Sequence, residues 1–131
     1  MKSATTIFND WVIKNKDDGM ESTHTPAVLD MLEYSLSFLH TAFSFIDAGC
    51  GNGWVVRYMN NQSMCDTAIG VDGAIEMINK AKRLDSEGQY ILSDLLDYKP
   101  IKKVDLVLSM EVFYYFSNPS KLLNHIKEHW L

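Results

Sequence analysis

The stretch Phe45-Ile46-Asp47-Ala48-Gly49-Cys50-Gly51-Asn52-Gly53 decides the reading of this chain. The short apolar run Phe43 to Ala48 ends in a glycine cluster, which predicts a buried strand delivering the backbone to a sharp turn. Glycine tolerates unusual backbone angles and leaves room for a ligand to approach the main chain. A helix expected over Trp54 to Asn61 would point its first amides into the same crevice.

Outward from this turn the pattern alternates. Thr67 to Val71, Gln89 to Ser93 and Val104 to Met110 read as further strands. Ala74 to Leu84 reads as a helix with Ile75, Ile78 and Ala81 inward. Asn118-Pro119 opens a last helix carrying Leu122, Leu123, Ile126 and Trp130. Upstream, residues 5–16 place Ile7, Phe8, Trp11 and Val12 on helical spacing. The polar stretch Lys14 to Thr25 reads as a loop, and Thr25-Pro26 as the capped start of a helix whose apolar face is Val28, Leu29, Leu32, Leu36 and Leu39. Strands alternating with helices predict a parallel sheet in an α/β fold, and the apolar strands predict cover on both sheet faces. The 131 residues suffice for one domain, divided into an N-terminal helix and loop (1–24) and a core (25–131).

Composition narrows the function. Hydrophobic content of 47% and charged content of 22% fit a globular protein. The net charge of −5 argues against a nucleic-acid partner, which calls for a basic face. Lys99, Lys102 and Lys103 are the one basic cluster and read as a solvated loop. Cys50 and Cys65 form no CxxC pair or disulfide framework. No signal-peptide-like region or membrane-length apolar run occurs, so a cytoplasmic protein without membrane contact is expected.

The glycine turn separates two classes of ligand. A dinucleotide fingerprint wants G-x-G-x-x-G; Gly49 and Gly51 fit it, but Trp54 stands at the last position. The spacing is instead Asp-x-Gly-x-Gly-x-Gly. The Asp47 carboxylate would repel a pyrophosphate and suits a ligand with an ammonium and a sulfonium, so S-adenosylmethionine (SAM) fits better than NAD.

In these residues the chain resembles the class I SAM-dependent methyltransferases, from about Thr25 onward. The resemblance implies a Rossmann-like three-layer α/β/α sandwich, SAM as cofactor and S-adenosylhomocysteine (SAH) as product. It assigns Asp47, Gly49 and Gly51 to the methionine end of the cofactor, with Cys50 between them. Asp72, ending Ile69-Gly70-Val71-Asp72, resembles the acid that holds the ribose hydroxyls, beside Gly73. Asp94 resembles the acid beside the adenine, with the Leu95 amide as a donor to the ring, although Asp97 is an alternative. Ser109-Met110-Glu111 resembles the motif beside the reacting methyl group.

Other readings stay open. Asp72 could serve only to cap the next helix. Trp54, Tyr114 and Tyr115 read as packing, Met77 and Met110 as core, and His24 as an exposed loop residue. Glu111, His24 and Tyr114 are candidates for a base, with no spacing that singles one out. The methyl acceptor is unidentified. The family sheet has seven strands and this chain supplies four, so the fourth is expected at a sheet edge, where pairing with a second copy would cover it. Such a short form could also bind the cofactor without transferring a methyl group.

Overall fold

The computed structural model describes residues 3–110 and 112–131, with the backbone alone for 20–23. Four parallel strands form one sheet in the order β3-β2-β1-β4: β1 Phe43–Ala48, β2 Cys65–Asp72, β3 Gln89–Leu92 and β4 Leu106–Ser109. Helix α3 (Trp54–Asn60) connects β1 to β2, and α4 (Ile75–Leu84) connects β2 to β3. The order reverses at β1, which has β2 on one side and β4 on the other. That is the switch point beyond whose strand ends α/β sheets bind ligands.

Alternation along β1 divides the core. Phe45 packs with Val28 and Leu32 of α2 (Asp17–Leu36), Val56 and Met59 of α3, and Ile78 and Ala81 of α4. Ile46 and Ala48 pack on the other face with Val71, Leu122 and Ile126 of α5 (Pro119–His129) and with Trp130. Both sheet faces are therefore covered, giving three layers. Trp130 closes the second layer: its indole N–H donates to the Tyr98 carbonyl at 2.9 Å, and its own carbonyl accepts from the Val104 amide at 2.7 Å.

The structure corrects four expectations. The stretch read as a loop is helical: α1 spans Ala4–Ile13, and α2 starts at Asp17 and runs through Pro26. Proline inside a helix forfeits a hydrogen bond. Burial of Val28 and Leu32, and a buried anchor at Asp17, offset that loss. Ile75 faces solvent, because the inward stripe of α4 is set by Ala74, Met77, Ile78 and Ala81. Leu123 is also exposed, one step off the stripe Leu122, Ile126 and Trp130. Finally, His24 lies within α2 and is half-buried. The fourth strand does lie at a sheet edge, as expected, with Leu106 half-buried.

Candidate cofactor site

The site forms where β1 and β2 end. Gly49, Gly51 and Gly53 all have positive φ, at 82°, 54° and 86°, the region that favours glycine. The Gly49 and Cys50 amides both donate to the Val71 carbonyl, at 2.8 and 3.0 Å, which folds the turn back onto β2. Asp72, at the tip of β2, holds it from the side: one carboxylate oxygen accepts from the Gly51 amide at 2.9 Å and the other from the Ala74 amide at 2.8 Å. Asp72 thus holds the residue before α4 without capping the helix itself, and it braces the glycine turn as well. A carboxylate offers about four acceptor positions, so two amides leave it capacity for hydroxyls of a ligand.

Asp47 is 3% exposed, and its carboxyl group has no hydrogen-bond partner among the described residues. Burial, reinforced by the negative charge of Asp72, raises its carboxyl to about 7. Burial also raises Asp72, against the lowering effect of its backbone hydrogen bonds. Two acids held this way favour a cationic guest, whose charge would offset the cost that burial sets on their ionised form. The Cys50 thiol is pushed well up by burial and by both acids; it donates a weak bond to the Gly51 carbonyl at 3.6 Å.

Two adjoining chambers open at this point. The smaller, about 60 Å³, is bounded by Asp17, Asp47, Cys50, Asn52, Trp54 and neighbouring residues. The larger cleft, about 760 Å³, is bounded by Asp72, Gly73, Asp94, Leu95 and the residues of a facing wall. Gly49, Gly51, His24, Met77 and Met110 border both. The expected residues Asp47, Gly49, Cys50, Gly51, Asp72, Gly73, Asp94, Leu95 and Met110 are thereby brought together. Ser109 borders neither chamber; its hydroxyl is buried without a hydrogen-bond partner among the described residues. Asp97 borders neither, whereas Asp94 lines the cleft and steadies its own loop by accepting from the Leu96 amide at 2.8 Å. Glu111 lies outside the described residues.

Several contributors escaped the sequence reading. Tyr114 and Tyr115 are exposed on the cleft rather than packed in the core. Trp54 packs against the core and also borders the smaller chamber. Ser3, Thr5, Phe8 and Trp11 bring the N-terminal segment over the cleft. Asp17, only 2% exposed, bonds the Asn52 amide group at 3.0 Å and the Lys80 ammonium at 2.8 Å, tying α2 to the glycine turn and to α4. No local spacing connects Asp17 with Lys80.

Residues 46–129 match the family model described as a methyltransferase domain. This chain belongs to the class I SAM-dependent methyltransferases. A tRNA (carboxymethyluridine(34)-5-O)-methyltransferase of Schizosaccharomyces pombe is 32% identical over 84 residues, covering 63% of this chain and 34% of that protein. The domain therefore spans about a third of that relative's length. A chain of the complex between the Haloferax volcanii Trm112 methyltransferase activator and its methyltransferase superposes with a TM-score of 0.75 at 26% identity, covering 96% of this chain and 55% of that one. The plantazolicin methyltransferase BamL, solved with a triazolic desmethylPZN analog and SAH, gives 0.74 at 26%, covering 91% and 46%. Among the described residues no helix is long and apolar enough to cross a membrane, and no group of acids, histidines and cysteines could hold a metal ion.

Proposed function

We propose that this domain binds SAM in the cleft and directs transfer of its methyl group to an acceptor seated beside Met110, releasing SAH. One observation carries this reading: Asp47 near the end of β1, Asp72 at the tip of β2 and Asp94 just after β3 border two adjoining chambers that share a turn whose glycines leave the backbone open. The residues present fit the cofactor. Asp47, buried and with no side-chain partner among the described residues, would take the ammonium of the methionine end. Asp72 would accept from the ribose hydroxyls while keeping its two amide bonds, and Asp94 would accept from the adenine amine, with the Leu95 amide donating to the ring.

Once bound, SAM supplies a methyl group already activated on a positively charged sulfur. The contribution of the chain is then placement and exclusion of water. Met110 and Met77 give the junction of the two chambers a soft apolar lining. The glycine turn, clamped by Val71 and Asp72, fixes the floor against which an acceptor is aligned.

Residues 1–131 act as one domain in this reading. The exposed edge of β4 pairs with a second copy, which would cover the unpaired backbone groups there. Two free thiols suit a reducing cytoplasm. Calorimetric titration with SAM and SAH, alongside a methyl-release assay on mixed acceptors and a native mass measurement, tests all of this. A folded protein that binds neither nucleoside overturns the proposal; binding without release in any acceptor pool leaves a binding module in place of an enzyme.

A further inference from the structure

Two chemically different walls face each other across the 760 Å³ cleft. One is the glycine turn with Asp72 and Asp94. The other is aromatic, built from Phe8 and Trp11 of α1 with Tyr114, Tyr115 and Phe116, which follow β4. Phe8 is the centre of this wall. Its ring meets Trp11 edge-on at 5.3 Å and 87°, and Tyr115 edge-on at 5.3 Å and 82°. Tyr115 lies 4.5 Å from Tyr114. Edge-to-face sets of this kind hold their rings in defined orientations, so the wall offers fixed aromatic faces. Tyr115 nevertheless remains 44% exposed, leaving ring surface for a guest.

Charge narrows the guest further. Among the described residues no lysine or arginine borders either chamber, and the carboxylates lining the cleft are Asp72 and Asp94. A phosphorylated or carboxylated acceptor would meet two acids and no permanent counter-charge among these described residues. A polynucleotide would need cationic side chains to neutralise its phosphates, and the chain carries a net charge of −5. The cleft volume lies in the upper part of the roughly 300–1,000 Å³ range of small-molecule sites, which suits a cofactor with a compact second molecule beside it.

We propose, resting on the cofactor reading above, that the aromatic wall seats the methyl acceptor and that this acceptor is a small planar aromatic or heteroaromatic molecule without negative charge. Transfer forms a bond from a ring-borne oxygen or nitrogen to the methyl carbon. It breaks the carbon–sulfur bond with its electron pair going to sulfur, and the acceptor's proton passes to water.

Calorimetric titration of the full chain with 1-naphthol and with 1-naphthyl phosphate, each with and without saturating SAH, tests the assignment. The neutral ring should bind at least about tenfold more tightly than its phosphate ester, which must be desolvated without a partner. Phe8→Leu and Tyr115→Leu should each weaken 1-naphthol about fivefold, the scale of a lost ring–ring contact, with SAH affinity changed less than about twofold. Thermal melts check that both variants fold, and Tyr115→Leu, at the more exposed ring, keeps the test open if Phe8→Leu does not. Phosphate ester binding as tightly as naphthol, a short single-stranded RNA binding more tightly than naphthol, or unchanged naphthol affinity in both folded variants each overturns the proposal. Failure of SAH to bind defeats the cofactor reading separately, because the SAH-free titrations still judge the aromatic wall.

Discussion

The Gly51 amide donates to the Asp72 carboxylate at 2.9 Å, joining the loop after β1 to the tip of β2. The bond makes one side chain serve two ends: Asp72 shapes the turn that a ligand lies on, and its remaining acceptor capacity faces the same cleft. Asp72→Ala removes both functions. SAM affinity should fall by about 1–3 kcal/mol, the scale of lost hydrogen bonds to a charged group, and the melting temperature should fall with it. Asp72→Asn keeps one carbonyl oxygen to accept from an amide and should lose less of both. Calorimetric binding and thermal denaturation on the two variants check the order.

Asp47 gives the site a pH dependence with a defined sign. Its carboxyl is raised to about 7 by burial and then by Asp72, so in the free protein it is neutral at pH 6 and ionised at pH 8. A cationic ligand selects the ionised form, so SAM affinity should rise with pH through about 7. It should be about tenfold weaker at pH 6 than at pH 8, following the ionised fraction. Binding near pH 6 should release a proton, visible as an enthalpy that varies with the buffer. Asp47→Asn should flatten the profile and bind more weakly at pH 8.

The same group affects folding. An acid whose folded pKa lies above its unfolded value takes up a proton on folding. Its contribution to stability is complete below about 4 and is lost as pH rises to about 7. Across that window the loss is about 1.4 kcal/mol per pH unit. Relative to the wild type, Asp47→Asn should therefore gain stability between pH 5 and pH 8, measurable as a diverging denaturation midpoint. Parallel midpoints for the two proteins would sink the assignment.

Asp17 and Lys80 support a prediction about the N-terminal helices. Burial pulls the Lys80 ammonium down, but hydrogen bonds to Asp17 and Asp18 outweigh it and leave its pKa raised. Lys80→Met strands the carboxylate of Asp17, 2% exposed, with Asn52 as its remaining side-chain partner among the described residues. Such a loss costs about 3–5 kcal/mol, and replacing both charges by apolar residues restores much of it. Chemical denaturation should show Lys80→Met clearly destabilised and Asp17→Leu/Lys80→Met partly recovered.

That pair also explains what the sequence concealed. The glycine turn, the four strands and Asp47, Asp72 and Asp94 were legible because the signal is local: an apolar run, a glycine cluster or an acid at the strand end. Helix α2 was misplaced because Thr25-Pro26 is a strong local start signal, whereas the contact that starts the helix at Asp17 comes from Lys80 on α4. The sequence suggests core packing for Tyr114 and Tyr115 for a related reason. Their surroundings include Phe8 on α1, and α1 reaches the cleft only once the sheet has formed.

Gly51 and Gly53 both have positive φ, and the structure predicts different consequences for replacing them. A Cβ on Gly53 would stand 2.5 Å from the Tyr90 ring, whose hydroxyl is fixed to Asp85 by a 2.7 Å hydrogen bond. A Cβ on Gly51 meets only the Met77 sulfur at 3.8 Å, an ordinary contact, and Gly51 borders both chambers. Gly51→Ala should therefore fold with the modest cost of a positive φ, about 1–2 kcal/mol, yet lose most SAM affinity because its methyl group occupies ligand space. Gly53→Ala pays the same backbone cost plus displacement of a tethered ring, so its main loss should be stability. Melting temperature plotted against SAM affinity should separate the two variants onto different axes. A stable Gly51→Ala protein with wild-type affinity would remove the cofactor from this turn.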